Sequence, residues 1–205
     1  MVVQTPFSFN IPPGIRYGAG SIESSIEELI SCLGLNLMLI SDPGLTDLGL
    51  YNRLLDLLTS KGISVTVFDV VESDPSLSTV LKSISSGVEC SATGIIGFGG
   101  GSSMDVAKLT ALILGSKENL EGAWGVNNAK GPRIPLCLIP TTAGTGSEVT
   151  PVSIITINGN EKRGVVSPII LPDLAILDPS LTVGLPANTT ASTGIDAMVH
   201  AIEAF

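Results

Sequence analysis

The stretch that most constrains the fold of this chain is residues 95–108, IIGFGGGSSMDVAK. An apolar run ends in Gly99, Gly100 and Gly101, which we call the glycine turn, and a helix-forming segment follows at once. This order predicts a strand, a turn too tight for a Cβ atom, and the start of a helix. The chain must therefore lead from a buried strand directly into the N-terminus of a helix.

The glycine turn predicts an anion site at the start of that helix. Free backbone N–H groups and the positive end of the helix dipole favour a phosphate there, and glycine lets it approach closely. The alternative is a plain turn with ordinary capping, since Ser102 and Asp105 have the spacing of a capping box. Three consecutive glycines exceed what capping requires, so phosphate binding is the preferred interpretation. The usual G-x-G-x-x-G fingerprint is absent, which indicates another way of binding a nucleotide or a different ligand.

Alternating strand and helix patterns predict an α/β fold, a parallel sheet with helices on both faces. Apolar runs typical of buried strands lie at residues 35–40, 63–71, 93–98 and 135–140, and helical spacing at 21–33, 48–58, 75–88 and from 186 onward. Ligands of such sheets bind beyond the carboxyl ends of the strands. We therefore expect the glycine turn to lie at the binding edge.

Composition narrows the functional classes. The 205 residues suffice for one domain, or for one domain and part of another. A net charge of -9 makes nucleic acid an improbable partner. No apolar run approaches the ~20 residues needed to cross a membrane, and the N-terminus lacks the pattern of a signal peptide. Cys32, Cys90 and Cys137 are far apart without a C-x-x-C pair, which favours a cytoplasmic protein without disulfides.

Two aspartates follow the first two predicted strands of the repeating pattern. Asp42 and Asp74 are therefore expected at the same sheet edge as the glycine turn. Asp42 has the chemistry to accept hydrogen bonds from a ribose hydroxyl. Its local sequence, Asp-Pro-Gly, is equally typical of a simple turn. Local pattern leaves both interpretations open.

The segment TTAGTGSEVT, residues 141–150, follows another buried strand and is called the threonine loop. Its hydroxyl groups and flexible backbone suit ligand binding at the same edge, although a generic polar loop has the same composition. Residues 158–160, Asn-Gly-Asn, then predict a hairpin. Lys162 opens the returning strand, either as a solvated side chain or as one that reaches the ligand. Trp124, in a polar excursion, is interpreted as a loop anchor.

The last predicted helix carries a carboxylate and the only histidine of the chain. Asp196 and His200 are four residues apart and so share one helix face. This pair can contribute to a site for a divalent first-row metal, but two ligands leave such a site incomplete. A hydrogen-bonded couple without a metal is the alternative. The sequence stops within this helix without a cap, and we expect truncation.

Three motifs together resemble the iron-containing, or group III, alcohol dehydrogenase family. They are FGGGSSMDVAK at 98–108, PTTAGTGSEVT at 140–150 and GIDAMVHAIEAF at 194–205, in the family's order. The resemblance implies a Rossmann-like dinucleotide-binding domain at residues 1–184. It also implies that residues 185–205 begin an all-helical metal-binding domain, most of which is missing. The chain would thus correspond to about the first half of a family member.

The resemblance implies a set of cofactor-binding residues for NAD. They are Asp42, Asp74, Gly100, Gly101, Ser102, Thr141, Thr142, Thr145 and Lys162. The glycines and Ser102 would hold the pyrophosphate, and Asp42 would lie by the adenosine ribose. A carboxylate there repels a 2′-phosphate, which favours NAD over NADP. Asp74 occupies a position that is commonly Asn in relatives.

The resemblance also implies the chemistry. Asp196 and His200 match the first two metal ligands and are the expected catalytic residues, with Fe²⁺ the expected metal and Zn²⁺ the alternative. The metal would act as a Lewis acid while hydride passes between a primary alcohol and the nicotinamide. A homo-oligomer acting on a small alcohol or aldehyde is expected. The alternatives are a glycerol dehydrogenase, a maleylacetate reductase, a dehydroquinate synthase, or a catalytically silent nucleotide-binding module.

Overall fold

The computed structural model describes residues 9–204 of the chain. Residues 1–8 and Phe205, at the outer ends of the two predicted domains, lie outside that range. Within it the strands are β1 (Gly14–Tyr17), β2 (Asn36–Ile40), β3 (Ser64–Phe68), β4 (Gly94–Gly99), β5 (Gly125–Val126), β6 (Leu136–Pro140), β7 (Val152–Ile157), β8 (Glu161–Val166) and β9 (Leu174–Leu177). The helices are α1 (Ser21–Ser24), α2 (Ile26–Leu33), α3 (Pro43–Asp47), α4 (Asn52–Ser60), α5 (Leu77–Glu89), α6 (Gly101–Ser116) and α7 (Ala187–Glu203).

Six strands form one parallel sheet in the order β1-β9-β6-β4-β2-β3. Every residue of the central strands β4 and β6 is buried, as expected for parallel strands covered on both faces. The predicted α/β fold with a parallel sheet is confirmed. Because β4 and β6 end side by side, with Gly99 opposite Pro140, the glycine turn and the threonine loop leave the sheet at neighbouring points.

Helices cover the two faces of this sheet. On one face, Ile95 packs in a core with Val80 of α5 and Leu109 of α6. On the other, Ile96 packs with Leu29 of α2 and Leu58 of α4. Consecutive β4 residues point to opposite faces, so each core receives every second side chain of the strand. The two cores therefore hold β4 from both faces of the sheet.

A second sheet has the order β5-β8-β7 and lies beside α6. Strands β7 and β8 pair antiparallel from Val152 opposite Val166 to Ile157 opposite Glu161. The hairpin predicted around residues 158–160 is thus confirmed. Its position brings Lys162, at the start of β8, to the side of the binding edge.

Several helical boundaries differ from the sequence prediction. The helix predicted over residues 48–58 is found as α4, Asn52–Ser60. The helix predicted over residues 21–33 is divided into α1 and α2 at Ser25, which has φ −103° and ψ 4°. Helix α3 was interpreted as a turn, but Asp42 caps it by accepting a hydrogen bond from the Leu45 N–H, and Pro43 opens it. Asp-Pro-Gly is thus a helix start here. A local pattern of turn residues does not distinguish the two outcomes.

Helix α7 stands apart from both cores. Its predicted start after Pro186 is confirmed, but within its described span no residue is buried. Its exposed apolar side chains are Ile195, Met198, Val199 and Ile202. Among residues 9–204, no helix is both long and apolar enough to cross a membrane.

Candidate functional site

The glycine turn forms the centre of the candidate site. Gly99 ends β4 with φ +146°, and a Cβ there would lie 2.9 Å from the Ser103 Oγ atom. Gly100 is the N-cap residue of α6, and among the described residues no side chain caps this helix end. The first N–H groups of a helix lack intrahelical partners, and here they face a cleft. The turn can therefore bind an anion through its backbone.

The alternative interpretation, ordinary capping by Ser102 and Asp105, does not hold. The Asp105 carboxylate accepts hydrogen bonds from the Ser147 hydroxyl and the Ile154 N–H, both at 2.8 Å, and not from the first turn of α6. Ser102 instead lines the cleft. Asp105 accepts hydrogen bonds from residues distant in sequence because β7 and the threonine loop pack against this turn of α6. Sequence spacing alone does not reveal those partners.

Two clefts meet at the start of α6 and share Gly101 and Ser102. The smaller cleft, of about 460 Å³, is also lined by Asp42, Gly100, Thr141 and Thr142. The larger cleft, of about 960 Å³, is also lined by Asp74, Thr145, Lys162, Asp196 and His200. All the sequence-predicted site residues thus line one continuous edge of the sheet. Their individual roles stay predictions.

Asp42 has a local structural role and also lies at the candidate site. It caps α3 through the Leu45 N–H at 3.2 Å, and it lines the smaller cleft. Partial burial raises the pKa of Asp42 above its usual value, while the Leu45 and Gly44 N–H groups act in the opposite direction. Because the cap fixes its side chain, the carboxylate is held at the cleft wall.

The threonine loop lies against the glycine turn. A Cβ on Gly101 would lie 3.0 Å from the Thr145 methyl carbon, so only glycine gives this approach without a shift. Thr141 is buried, and its N–H donates to the Gly99 carbonyl at 3.0 Å. The Thr142 hydroxyl is buried near Gly100 and has no hydrogen-bond partner within residues 9–204. An unpartnered buried hydroxyl beside a helix N-terminus fits an anionic ligand.

Lys162 and Asp74 face each other in the larger cleft. The Lys162 Nζ atom lies 2.5 Å from the Asp74 Oδ1 atom, and both side chains are well exposed. Sequence analysis treated the two residues separately and did not predict this ion pair. Exposed pairs of this kind are weak, so Lys162 is free to exchange its partner for a ligand.

Asp196 and His200 share one face of α7, as their spacing predicts. The His200 Nε2 atom lies 3.9 Å from the Asp196 Oδ1 atom, and both side chains are about half exposed. The pair lines the larger cleft. Helix α7 packs closely against the threonine loop at Gly144. A Cβ on this glycine would lie 2.6 Å from the carbonyl oxygen of Thr193 in α7.

The two expected groups fit the site to different degrees. A dinucleotide phosphate fits, because the open helix start, the glycine contacts and the unpartnered Thr142 hydroxyl form a cradle. For a metal, an imidazole and a carboxylate are suitable donors. However, no cluster of three or more His, Cys, Asp or Glu side chains is placed to hold a metal in the described part of the chain. Asp196 and His200 thus fit part of a metal site.

A buried cluster behind the threonine loop was not predicted from the sequence. Lys108 is fully buried in α6 and donates hydrogen bonds to the Ser147 hydroxyl at 2.8 Å and the Val152 carbonyl at 2.6 Å. A lysine within the apolar segment VAKLTALIL was the available signal. Sequence analysis also missed that Pro186 and Thr189, at the start of α7, line the smaller cleft.

The chain is similar in sequence to known proteins. Residues 12–179 match the family model described as iron-containing alcohol dehydrogenase. A sulfoacetaldehyde reductase from Bilophila wadsworthia is 38% identical over 193 residues, which are 93% of this chain and 50% of that protein. The chain therefore spans about half the length of the curated relatives it matches.

Solved structures show the same relationship. The chain matches the crystal structure of a 1,3-propanediol oxidoreductase with a TM-score of 0.91 and 32% identity, over 97% of this chain and 52% of that one. It also matches a sulfoacetaldehyde reductase from Bifidobacterium kashiwanohense, solved in complex with NAD⁺, with a TM-score of 0.86 and 33% identity. That match covers 98% of this chain and 54% of the other.

Proposed function

The chain belongs to the iron-containing alcohol dehydrogenase family, and from that premise we propose that it forms the nucleotide-binding half of an NAD-dependent alcohol dehydrogenase. One observation carries the proposal. The uncapped start of α6, the unpartnered Thr142 hydroxyl and the Asp196–His200 pair all border the same continuous edge. A nucleotide phosphate and a reacting centre thus have places within one site.

In this proposal the backbone of Gly100, Gly101 and Ser102 binds the pyrophosphate of NAD. The Thr142 hydroxyl gains a partner on binding, and Thr141 and Thr145 hold the loop against the turn. Asp42 accepts hydrogen bonds from the adenosine ribose and disfavours a 2′-phosphate by charge repulsion. The NAD⁺ complex of a relative with the same fold supports this choice of cofactor.

The larger cleft is proposed to orient the nicotinamide and the alcohol. Lys162 leaves Asp74 to contact the cofactor, and Asp196 and His200 contribute two ligands for Fe²⁺ or Zn²⁺. A bound metal of this kind supplies Lewis acidity toward the substrate oxygen. When bound, NAD would supply the hydride acceptor, and the alcohol, giving up that hydride and its hydroxyl proton to solvent, would become the aldehyde. Within this chain, the residues position the reacting groups.

We further propose that residues 1–184 form the dinucleotide-binding domain and that residues 185–205 begin a helical metal-binding domain. The absence of buried residues within the described span of α7, together with its four exposed apolar side chains, supports this division. A small alcohol or aldehyde is the proposed substrate, in a cytoplasmic homo-oligomer with neither nucleic acid nor membrane as a partner.

Calorimetry and turnover test the proposal together. The 205-residue chain should bind NAD measurably and prefer it to NADP. The full-length product of the gene that encodes this chain should reduce NAD with short primary alcohols when Fe²⁺ is added. Absence of NAD binding by the chain would contradict the nucleotide site. Absence of turnover by the full-length product with any divalent metal would contradict the dehydrogenase assignment.

A catalytically silent nucleotide-binding module is the second candidate. It is favoured by one observation, the lack of a metal-binding cluster among the described residues. Such a module would bind NAD but neither Fe²⁺ nor an alcohol. The same two measurements therefore separate it from an enzyme.

A further inference from the structure

The buried charge of Lys108 has no place in the function proposed so far. Its side chain is 0% exposed, although burying an ammonium group is costly unless its donors are satisfied. The Nζ atom donates to the Ser147 hydroxyl and the Val152 carbonyl, and it lies 3.8 Å from the Asp105 Oδ1 atom. An apolar side chain would fill this position of α6 without that cost. The charge therefore calls for a role beyond packing.

Lys108 and Asp105 hold the same serine from two sides. The Ser147 hydroxyl accepts from the Lys108 ammonium at 2.8 Å and donates its proton to the Asp105 carboxylate at 2.8 Å. Asp105 is fixed in turn by the Ile154 N–H at 2.8 Å, and its carbonyl accepts from the Ser153 hydroxyl at 3.0 Å. The end of the threonine loop is thus fastened to α6 and β7 together.

From Ser147 the contacts continue to the glycine turn. The Ser147 N–H donates to the Thr145 Oγ1 atom at 3.2 Å. The methyl carbon of Thr145 lies close to Gly101, since a Cβ on that glycine would be 3.0 Å from it. A contiguous set of contacts thus runs from the interior of α6 to the proposed pyrophosphate cradle.

We propose that Lys108 is a positioning residue for the cofactor, which acts through Ser147 to hold the threonine loop in the shape that faces the glycine turn. The inference rests on the proposed function, since it names what sets the geometry of that same site. Lys108 does not touch the cofactor. Its effect on binding therefore depends on the hydrogen bonds to Ser147.

The charge state of Lys108 supplies a distinctive signature. Burial lowers the pKa of Lys108 to about 8, while the nearby Asp105 and Glu148 carboxylates act in the opposite direction. These two acids are the charged groups that act on it, from α6 and from the turn Ser147–Val149. The contact of β7 with the Lys108 ammonium is the Val152 backbone carbonyl, which carries no charge. Above that pH the neutral amine donates more weakly, and the cluster gains net negative charge near the cradle. NAD affinity should therefore fall as the pH rises through about 8.

The test is calorimetric titration of the 205-residue chain with NAD between pH 6.5 and 9.5. For the unchanged chain we expect the Kd to rise about tenfold across this range. Lys108→Met should raise the Kd about tenfold at pH 7 and remove the pH dependence. Ser147→Ala keeps every charge but breaks the link to the loop, so it should also raise the Kd and flatten the profile.

The controls keep the inference falsifiable. Lys82→Gln changes an exposed lysine on α5 and should leave both the Kd and the pH profile unchanged. Circular dichroism establishes folding, and if Lys108→Met does not fold, Ser147→Ala decides the question. Folded variants with unchanged affinity and unchanged pH dependence would overturn the inference while the proposed function stands. If the unchanged chain does not bind NAD at any pH, the proposed function fails first.

Discussion

The glycine turn and helix α7 both border the candidate site, yet they are built in opposite ways. The turn follows a fully buried strand and opens a helix whose Lys108 is completely enclosed. Helix α7 has no buried residue in its described span, and its Asp196 and His200 are about half exposed. One part of the site is fixed by the core, and the other is held by few contacts.

If the proposed function is right, this difference should separate cofactor binding from chemistry. A cradle fixed by packing is preorganised. The start of α7 borders this cradle through Pro186 and Thr189, but Asp196 and His200 line the other cleft, so we expect NAD affinity to depend little on those two side chains. A pair of ligands on an exposed helix needs further donors before it can hold a metal firmly. The three predictions that follow test this separation, beginning with the largest expected effect.

Replacing His200 should abolish turnover and leave NAD binding intact. In the full-length product, His200→Ala should lower kcat at least ~1,000-fold, because several kcal/mol of Lewis-acid stabilisation are lost with the metal. NAD affinity, measured by calorimetry, should stay within about twofold of the unchanged protein. Removal of the metal with a chelator should reproduce both results.

The matched control for this prediction is Glu203→Gln, an exposed change on the same helix. It should alter neither turnover nor NAD affinity. A large loss of NAD affinity in His200→Ala would show that His200 contributes to the cradle, and the separation of the two regions would be wrong.

Filling the glycine turn should have the second largest effect. Gly101→Val places methyl groups against Thr145 and in the path of a phosphate, so NAD affinity should fall ~100-fold. The substitution should leave the fold intact, which circular dichroism and thermal unfolding measure. Gly122→Ala is the matched control, because a Cβ there meets open space. Unchanged affinity in Gly101→Val would remove the turn from the binding site.

The smallest expected effect concerns the choice of cofactor. Asp42→Asn keeps a good N-cap for α3 but removes the negative charge from the smaller cleft. The ratio of NADP to NAD affinity should therefore rise about tenfold, as one repulsive interaction with the 2′-phosphate disappears. Asp47→Asn, an exposed change on the same short helix, should leave the ratio unchanged. An equal effect of both changes would indicate general electrostatics and not a ribose contact.

Much of the fold was predictable because its signals are local. Buried strands such as β4 and β6 read as continuous apolar runs, and the hairpin at residues 158–160 has a short-range turn signature. The division of α1 from α2 and the formation of α3 were missed, since residues such as Ser25 and Asp42 suit both turns and helix caps.

The position of candidate residues at the sheet edge was predictable where they come soon after strands, as Gly100, Thr142 and Asp42 do, while their roles stay predictions. The alternative capping role of Asp105 did not hold, because its partners Ser147 and Ile154 lie 42 and 49 residues away along the chain. The ion pair between Lys162 and Asp74 spans 88 residues and was missed for the same reason.

The sequence by itself determined the alternation of the main strands and helices, because periodicity is a property of neighbouring residues. It also determined the family resemblance, because each of the three motifs that carry it is continuous in the sequence. Only the tertiary structure decided which side chains meet. The burial of Lys108, the neighbouring clefts and the exposure of α7 all arise from contacts between distant segments. Such contacts depend on how the two sheets and the helices pack in three dimensions, which no local pattern specifies.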